Sequence, residues 1–74
     1  MQFDYSKLLG RIKECGYTQE SLAKEIGISK GTLSAKLNNK NAFTVNESLS
    51  ICRLLNVSKY EIDAFFYTEK VQEN

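Results

Sequence analysis

The stretch Thr18–Asn38, TQESLAKEIGISKGTLSAKLN, decides the fold. Two apolar patterns at helical spacing, Leu22, Ala23 and Ile26 and then Leu33 and Leu37, are separated only by Gly27-Ile28-Ser29. Thr18 and Ser29 each stand where a side-chain hydroxyl can accept the unpaired N–H groups of a helix start. So short a link leaves room only for a tight turn, which sets the two helix axes at about 90–120° to each other. The turn needs a residue at ease with positive φ, here Gly27, and a small residue where the first helix passes beneath the second, here Ala23. Leu22, Ile26, Ile28, Leu33 and Leu37 then fasten the pair to the rest of the domain.

Outward from this stretch the same signs recur. Upstream, Tyr5, Leu8, Leu9, Ile12 and Cys15 form one stripe, which predicts a helix from Tyr5 to Cys15 with Asp4 as N-cap and Gly16 as its stop. Downstream, Thr44 with Glu47 three residues on reads as a capping box, followed by Val45, Leu49, Cys52 and Leu55 as the inward face. Ser58 with Glu61 repeats that signature, with Val57 placed to staple onto Ile62 and part of the Phe65-Phe66-Tyr67 run buried. With no proline and no strand-like alternation, the expectation is an all-α domain of five short helices over residues 1–70, with 71–74 a frayed tail.

Composition removes whole classes of function. The 74 residues suffice for one small domain, and 42% apolar residues suffice for a core. No stretch approaches the ~20 apolar residues of a membrane helix, and the N-terminus lacks a signal-peptide pattern. A cytoplasmic, soluble protein with no membrane partner is therefore expected. The absence of His removes imidazole bases and triads, and two cysteines cannot supply a structural zinc site. Cys15 and Cys52 are read as buried, reduced thiols. Gly27-Ile28-Ser29-Lys30-Gly31 fits a nucleophile elbow by letters, but that elbow needs a strand, a sheet and a His partner. No enzyme, cofactor, metal or small-molecule ligand is expected.

The near-neutral net charge of +1 conceals an asymmetry. Residues 1–40 carry seven Lys and Arg against four acids, or +3, whereas residues 41–74 carry three against five, or −2. From Ser29 to Lys40 there are three lysines and no acid, the footprint expected of a phosphate-facing surface. Together with the tight turn, this points to a DNA-binding helix-turn-helix over about 18–38.

The segment resembles the helix-turn-helix of the phage repressor and Cro family, in which Gln opens the first helix, Ala follows four on and Gly eight on. Here these are Gln19, Ala23 and Gly27. The run LSAKLNNKNAFT, Leu33–Thr44, is similar to a small Cro-like, single-domain subgroup, and the resemblance covers nearly the whole chain. It departs at Lys36, where many members carry an aliphatic residue and where Leu37 takes over the packing. The resemblance implies a compact lambda-repressor-like domain acting as a transcriptional regulator, its third helix in the operator major groove. An antitoxin or restriction-modification controller uses the same fold. A protein-interaction module built on the Phe65–Tyr67 run is the alternative from another class.

With Leu33 and Leu37 facing inward, Gly31, Ala35 and Asn38 lie on the opposite side, flanked by Thr32 and Ser34, while Ser29 and Lys30 lead at the entering end. Base readout is assigned to Ser29, Lys30, Gly31, Ser34 and Ala35. Lysine can donate to guanine O6 and N7, and an alanine methyl can meet that of thymine. In the family, the positions matching Lys30, Gly31 and Ala35 touch base edges. Those matching Gln19, Asn38 and Lys40 contact the DNA backbone, to which Thr18 and Thr32 are added. A single reading helix covers too few base pairs to be selective, so a palindromic operator bound by a weak homodimer is expected. The contact assigned to that dimer is Phe65, Phe66 and Tyr67, since a short helix cannot bury all three.

Overall fold

In the computed structural model, which describes residues 2–71, the chain forms five α-helices: α1 Ser6–Glu14, α2 Gln19–Ile26, α3 Lys30–Leu37, α4 Val45–Leu54 and α5 Ile62–Phe66. A single 3-10 turn, Lys59–Glu61, leads into α5. No named strand occurs among the described residues. The core gathers Tyr5, Leu8 and Ile12 from the first helix, Leu22 and Ala23 from the second, Leu33 and Leu37 from the third, and Ile51, Cys52, Leu55, Phe65 and Phe66 from the rest. α2 packs on α3 and α4, and α5 closes the other side against α1 and α4.

Local chemistry sets most helix ends. Thr18, Ser29 and Thr44 each accept a hydrogen bond from the third backbone N–H of the helix that follows. At Thr44 the Glu47 carboxylate returns the favour, so the capping box read from the sequence is formed. Thr18 also sits in a box, closed by Ser21 rather than by an acid. Asp4 acts one position earlier than expected. Its carboxylate accepts from the Ser6 N–H and hydroxyl at 2.8 and 2.5 Å, and α1 begins at Ser6 with Tyr5 as its N-cap. Those bonds from Ser6 hold the Asp4 carboxyl below its usual range. Ser58 caps the 3-10 turn through the Tyr60 N–H, and no reciprocal bond from Glu61 closes a box there among the described residues.

Three burial expectations are corrected, for the inward face of α4, for Leu9 and for Cys15. In α4 the inward face is Ser48, Ile51, Cys52 and Leu55, with Val45 68% and Leu49 43% exposed. Cys52 and Leu55 face inward as expected, while Ser48 and Ile51 take the places expected of Val45 and Leu49; the Ser48 hydroxyl donates to the Val45 carbonyl at 2.9 Å and so is buried at little cost. Leu9 lies off the α1 stripe and is exposed. Cys15, the α1 C-cap, is also exposed, and its thiol points to the Leu55 carbonyl at 3.7 Å. Both cysteines are free, and burial raises the Cys52 thiol pKa. The Phe65-Phe66-Tyr67 run is buried in part, as expected: Phe65 and Phe66 lie in the core and are not available to the surface contact assigned to them, leaving Tyr67 as the surface member, at 45% exposure. Tyr67 lies edge-on to Phe3 with ring centroids 5.8 Å apart, so the chain after α5 packs back beside the N-terminus. The 71–74 tail falls mostly outside the described residues; Val71 is exposed.

The two ends of the domain are joined to the end of α3 through one residue. Phe3 forms an antiparallel bridge with Glu69, with the Asp4 N–H donating to the Thr68 carbonyl at 2.7 Å and the Lys70 N–H to the Gln2 carbonyl at 2.9 Å. The other edge of Phe3 is taken by a side chain. Asn39 Oδ1 accepts the Phe3 N–H at 2.8 Å, and Asn39 Nδ2 donates to the Phe3 carbonyl at 2.9 Å. Asn39 has φ 63°, a left-handed backbone that Asn tolerates better than most residues. Asn39→Gly keeps that backbone and removes both bonds, with an expected loss of about 1–3 kcal/mol in urea unfolding. Asn39→Ala should lose more, because it adds about 1 kcal/mol of left-handed strain.

Candidate nucleic-acid interface

The site is built on the turn from α2 to α3. Gly27 adopts φ 80°, ψ 26°, and the chain then turns back so that the Ile28 N–H donates to the Ala23 carbonyl at 3.0 Å. Ala23 is almost fully buried at this crossing and Leu22 fully so. Ser29 starts α3, its hydroxyl accepting from the Thr32 N–H at 3.1 Å and paired with the Thr32 hydroxyl at 2.8 Å. Both hydroxyls are thereby oriented before any ligand arrives.

Along α3 the inward side comprises Leu33, Lys36 and Leu37. Lys30, Gly31 and Thr32 are exposed at the N-terminal end, with Ser29 beside them, and Ser34 and Ala35 are half-buried. The five residues assigned to base readout therefore share the stretch from the Ser29 cap to mid-helix, with no acidic side chain among them. Of the residues assigned to the DNA backbone, Thr18, Thr32, Asn38 and Lys40 are exposed and Gln19 is half-buried at the first position of α2. Asn38 turns its amide onto its own helix, donating to the Ser34 carbonyl at 2.8 Å.

Lys36 departs from the apparent charge map. Only 7% exposed, it sends its Nζ to the Ala42 carbonyl at 3.2 Å and to Glu47 Oε1 at 2.5 Å. Burial pushes the Glu47 carboxyl upward, but the bonds from Lys36 and from the Thr44 N–H outweigh it and hold the group below its ordinary value. Lys36 is thus neutralised inside the domain, and the exposed positive charge of the Ser29–Lys40 stretch comes from Lys30 and Lys40. Sequence spacing carried no sign of this pair, because its partners are eleven residues apart on different helices. The Asn39 clamp on Phe3 was missed for the same reason.

Gly31 occupies an ordinary helical backbone, and a Cβ built there comes no closer than 4.0 Å to the Ser29 hydroxyl. Nothing within the chain therefore requires glycine at this exposed position. No group of three or more His, Cys, Asp and Glu side chains could hold a metal among the described residues, and no described helix is long and apolar enough to cross a membrane.

The arrangement is a compact helical domain in which α3, capped at Ser29 and packed on α2, presents an exposed small-residue face with Lys30 at its start and Lys40 just past its end. Residues 1–69 match the family described as "Protein of unknown function (DUF739)", and the chain belongs to that family. No curated protein matches it.

The Gly31 geometry generates a direct expectation. Gly31→Ala should stabilise the free protein by about 0.5–1 kcal/mol, since alanine fits and glycine is a poor helix former. A loss of stability in thermal unfolding would mean that the domain itself needs the glycine.

Proposed function

We propose that this chain is a sequence-specific DNA-binding transcriptional regulator of the Cro type, a lambda-repressor-like domain that inserts α3 of its helix-turn-helix into the major groove of an operator. The observation that carries the reading is the outer face of α3. From Ser29 to Ala35 it presents hydroxyls, one lysine, a glycine and a methyl group, with no acid and no bulky apolar side chain. A helix meant only to be solvated has no use for an exposed glycine that its own fold does not require. A helix that approaches base pairs closely does.

In this reading Lys30 donates to guanine, the Ala35 methyl packs on thymine, and Ser29 and Ser34 supply short polar contacts while Gly31 permits close approach. Gln19, at a helix N-terminus, and Thr18, Thr32, Asn38 and Lys40 hold the phosphates. With few hydrogen-bonding groups on the reading face, DNA shape contributes to specificity. The burial of Phe65 and Phe66 withdraws most of the aromatic surface on which a protein-interaction module would depend. It also narrows the proposed dimer contact to Tyr67 and whatever surrounds it.

Selection of bound sites from random duplexes, followed by titration at several salt concentrations, tests the reading. No enriched sequence and no salt dependence would overturn it. Lys30→Ala is expected to cost about 1–3 kcal/mol on the preferred site and much less on a variant lacking the contacted guanine. Lys40→Ala should weaken every sequence alike and reduce the salt slope by about one unit. On a palindromic operator, native mass spectrometry should find two protein copies per duplex; a single copy would remove the dimer.

A further inference from the structure

The buried Lys36–Glu47 pair makes no contact assigned to DNA, and replacing such a pair by well-packed apolar groups is often neutral or stabilising. Its geometry does something an aliphatic side chain cannot. The Lys36 ammonium reaches from α3 to the Ala42 carbonyl, at 3.2 Å, and to Glu47, whose carboxylate also accepts the Thr44 N–H at 2.8 Å. One cation thus ties three points together: α3, the far shoulder of the 38–43 loop, and the cap of α4. The near shoulder is held separately, by the two bonds from Asn39 to Phe3. Between these anchors stand Lys40 and Asn41, both exposed; the Lys40 N–H donates to the Ala35 carbonyl at 2.9 Å, which leaves the stretch from the Lys40 carbonyl to Ala42 to be set by the Lys36 bond.

We infer that Lys36 and Glu47 are positioning residues that hold the Lys40-Asn41 apex where Lys40 meets a DNA phosphate, acting through the Ala42 carbonyl and the α4 cap without touching nucleic acid. The inference rests on the DNA-binding reading for its consequence but not for its mechanics. A hydrogen bond from an ammonium fixes the direction of a carbonyl, and through it the path of the two residues before it. Dispersion contacts from a leucine or methionine fill the same space and leave the carbonyl free to turn. The same carboxylate oxygen serves both Lys36 and Thr44, so the loop and the start of α4 move together.

The test uses Lys36→Met, with Lys36→Met/Glu47→Gln as a second variant that leaves no unpaired carboxylate and keeps a side chain able to cap at position 47. In the free protein, amide hydrogen exchange at Lys40 and Thr44, whose N–H groups are bonded to the Ala35 carbonyl and the Glu47 carboxylate, should accelerate about tenfold in both variants while exchange in α1 and α2 is unchanged. On the selected operator, Lys36→Met should weaken binding about fivefold. Added to Lys40→Ala, it should cost nothing further, because the contact it positions is already gone. Losses that add would make Lys36 a contact in its own right and overturn the inference, as would unchanged loop exchange or unchanged affinity. If the wild-type chain binds no operator, the functional reading fails alone, and loop exchange still decides whether the pair holds the apex.

Discussion

The outward face of α3, on which the candidate interface is built, depends on the left-handed turn at Gly27. With only Gly27, Ile28 and Ser29 between α2 and α3, the second helix must leave at a steep angle, and the Ala23 carbonyl receives the Ile28 N–H at the pivot. A side chain at Gly27 would strain that backbone. A bulkier residue at the buried Ala23 would force the helices apart. Once the crossing is set, Leu33 and Leu37 have one way to reach the core, and the opposite side of α3 has one way to face outward. The exposure of Lys30 and Gly31 follows from the turn more than from their own chemistry.

What was legible in the sequence was what is local. The caps at Thr18, Ser29 and Thr44 and the turn at Gly27 depend on residues within four positions, so their letters carry their geometry. The first half of the α4 inward face was not legible from apolar spacing alone, because Ser48, a polar residue that satisfies its hydroxyl on the Val45 carbonyl, is buried while Val45 and Leu49 are exposed. Cys15 lies on the predicted stripe yet stays exposed, since a stripe says nothing of how far a neighbouring element extends over the helix end. The two anchors of the 38–43 loop join residues eleven and thirty-six positions apart, and no single-sequence pattern encodes such a pairing. Within the candidate interface, which lysines remain free could not be read from the letters, because the burial of Lys36 against Glu47 is a contact between two helices.

The charge distribution shows the same division. Counting residues makes the Ser29–Lys40 stretch uniformly basic, whereas the fold spends Lys36 on Glu47 and leaves a positive group at each end of the stretch. The aromatic residues are divided in a similar way. Phe43 and Phe66 lie edge-to-face with centroids 5.2 Å apart, and Tyr5 meets Phe43 at 5.5 Å, so a row of rings braces the loop from inside.

The bridge between Phe3 and Glu69 bears on the order in which the molecule assembles. The α2–α3 crossing closes a short loop and can form early, whereas joining residues 2–4 to 68–70 closes nearly the whole chain and carries the largest loop-closure entropy in the fold. Asn39 bonds to the same Phe3 backbone, so its clamp can be complete only when the N-terminal segment is in place. Fraying at the chain ends therefore reaches the loop after α3 directly. The segment that carries Lys40 is thus coupled, through one backbone, to the contact of longest sequence separation in the described fold.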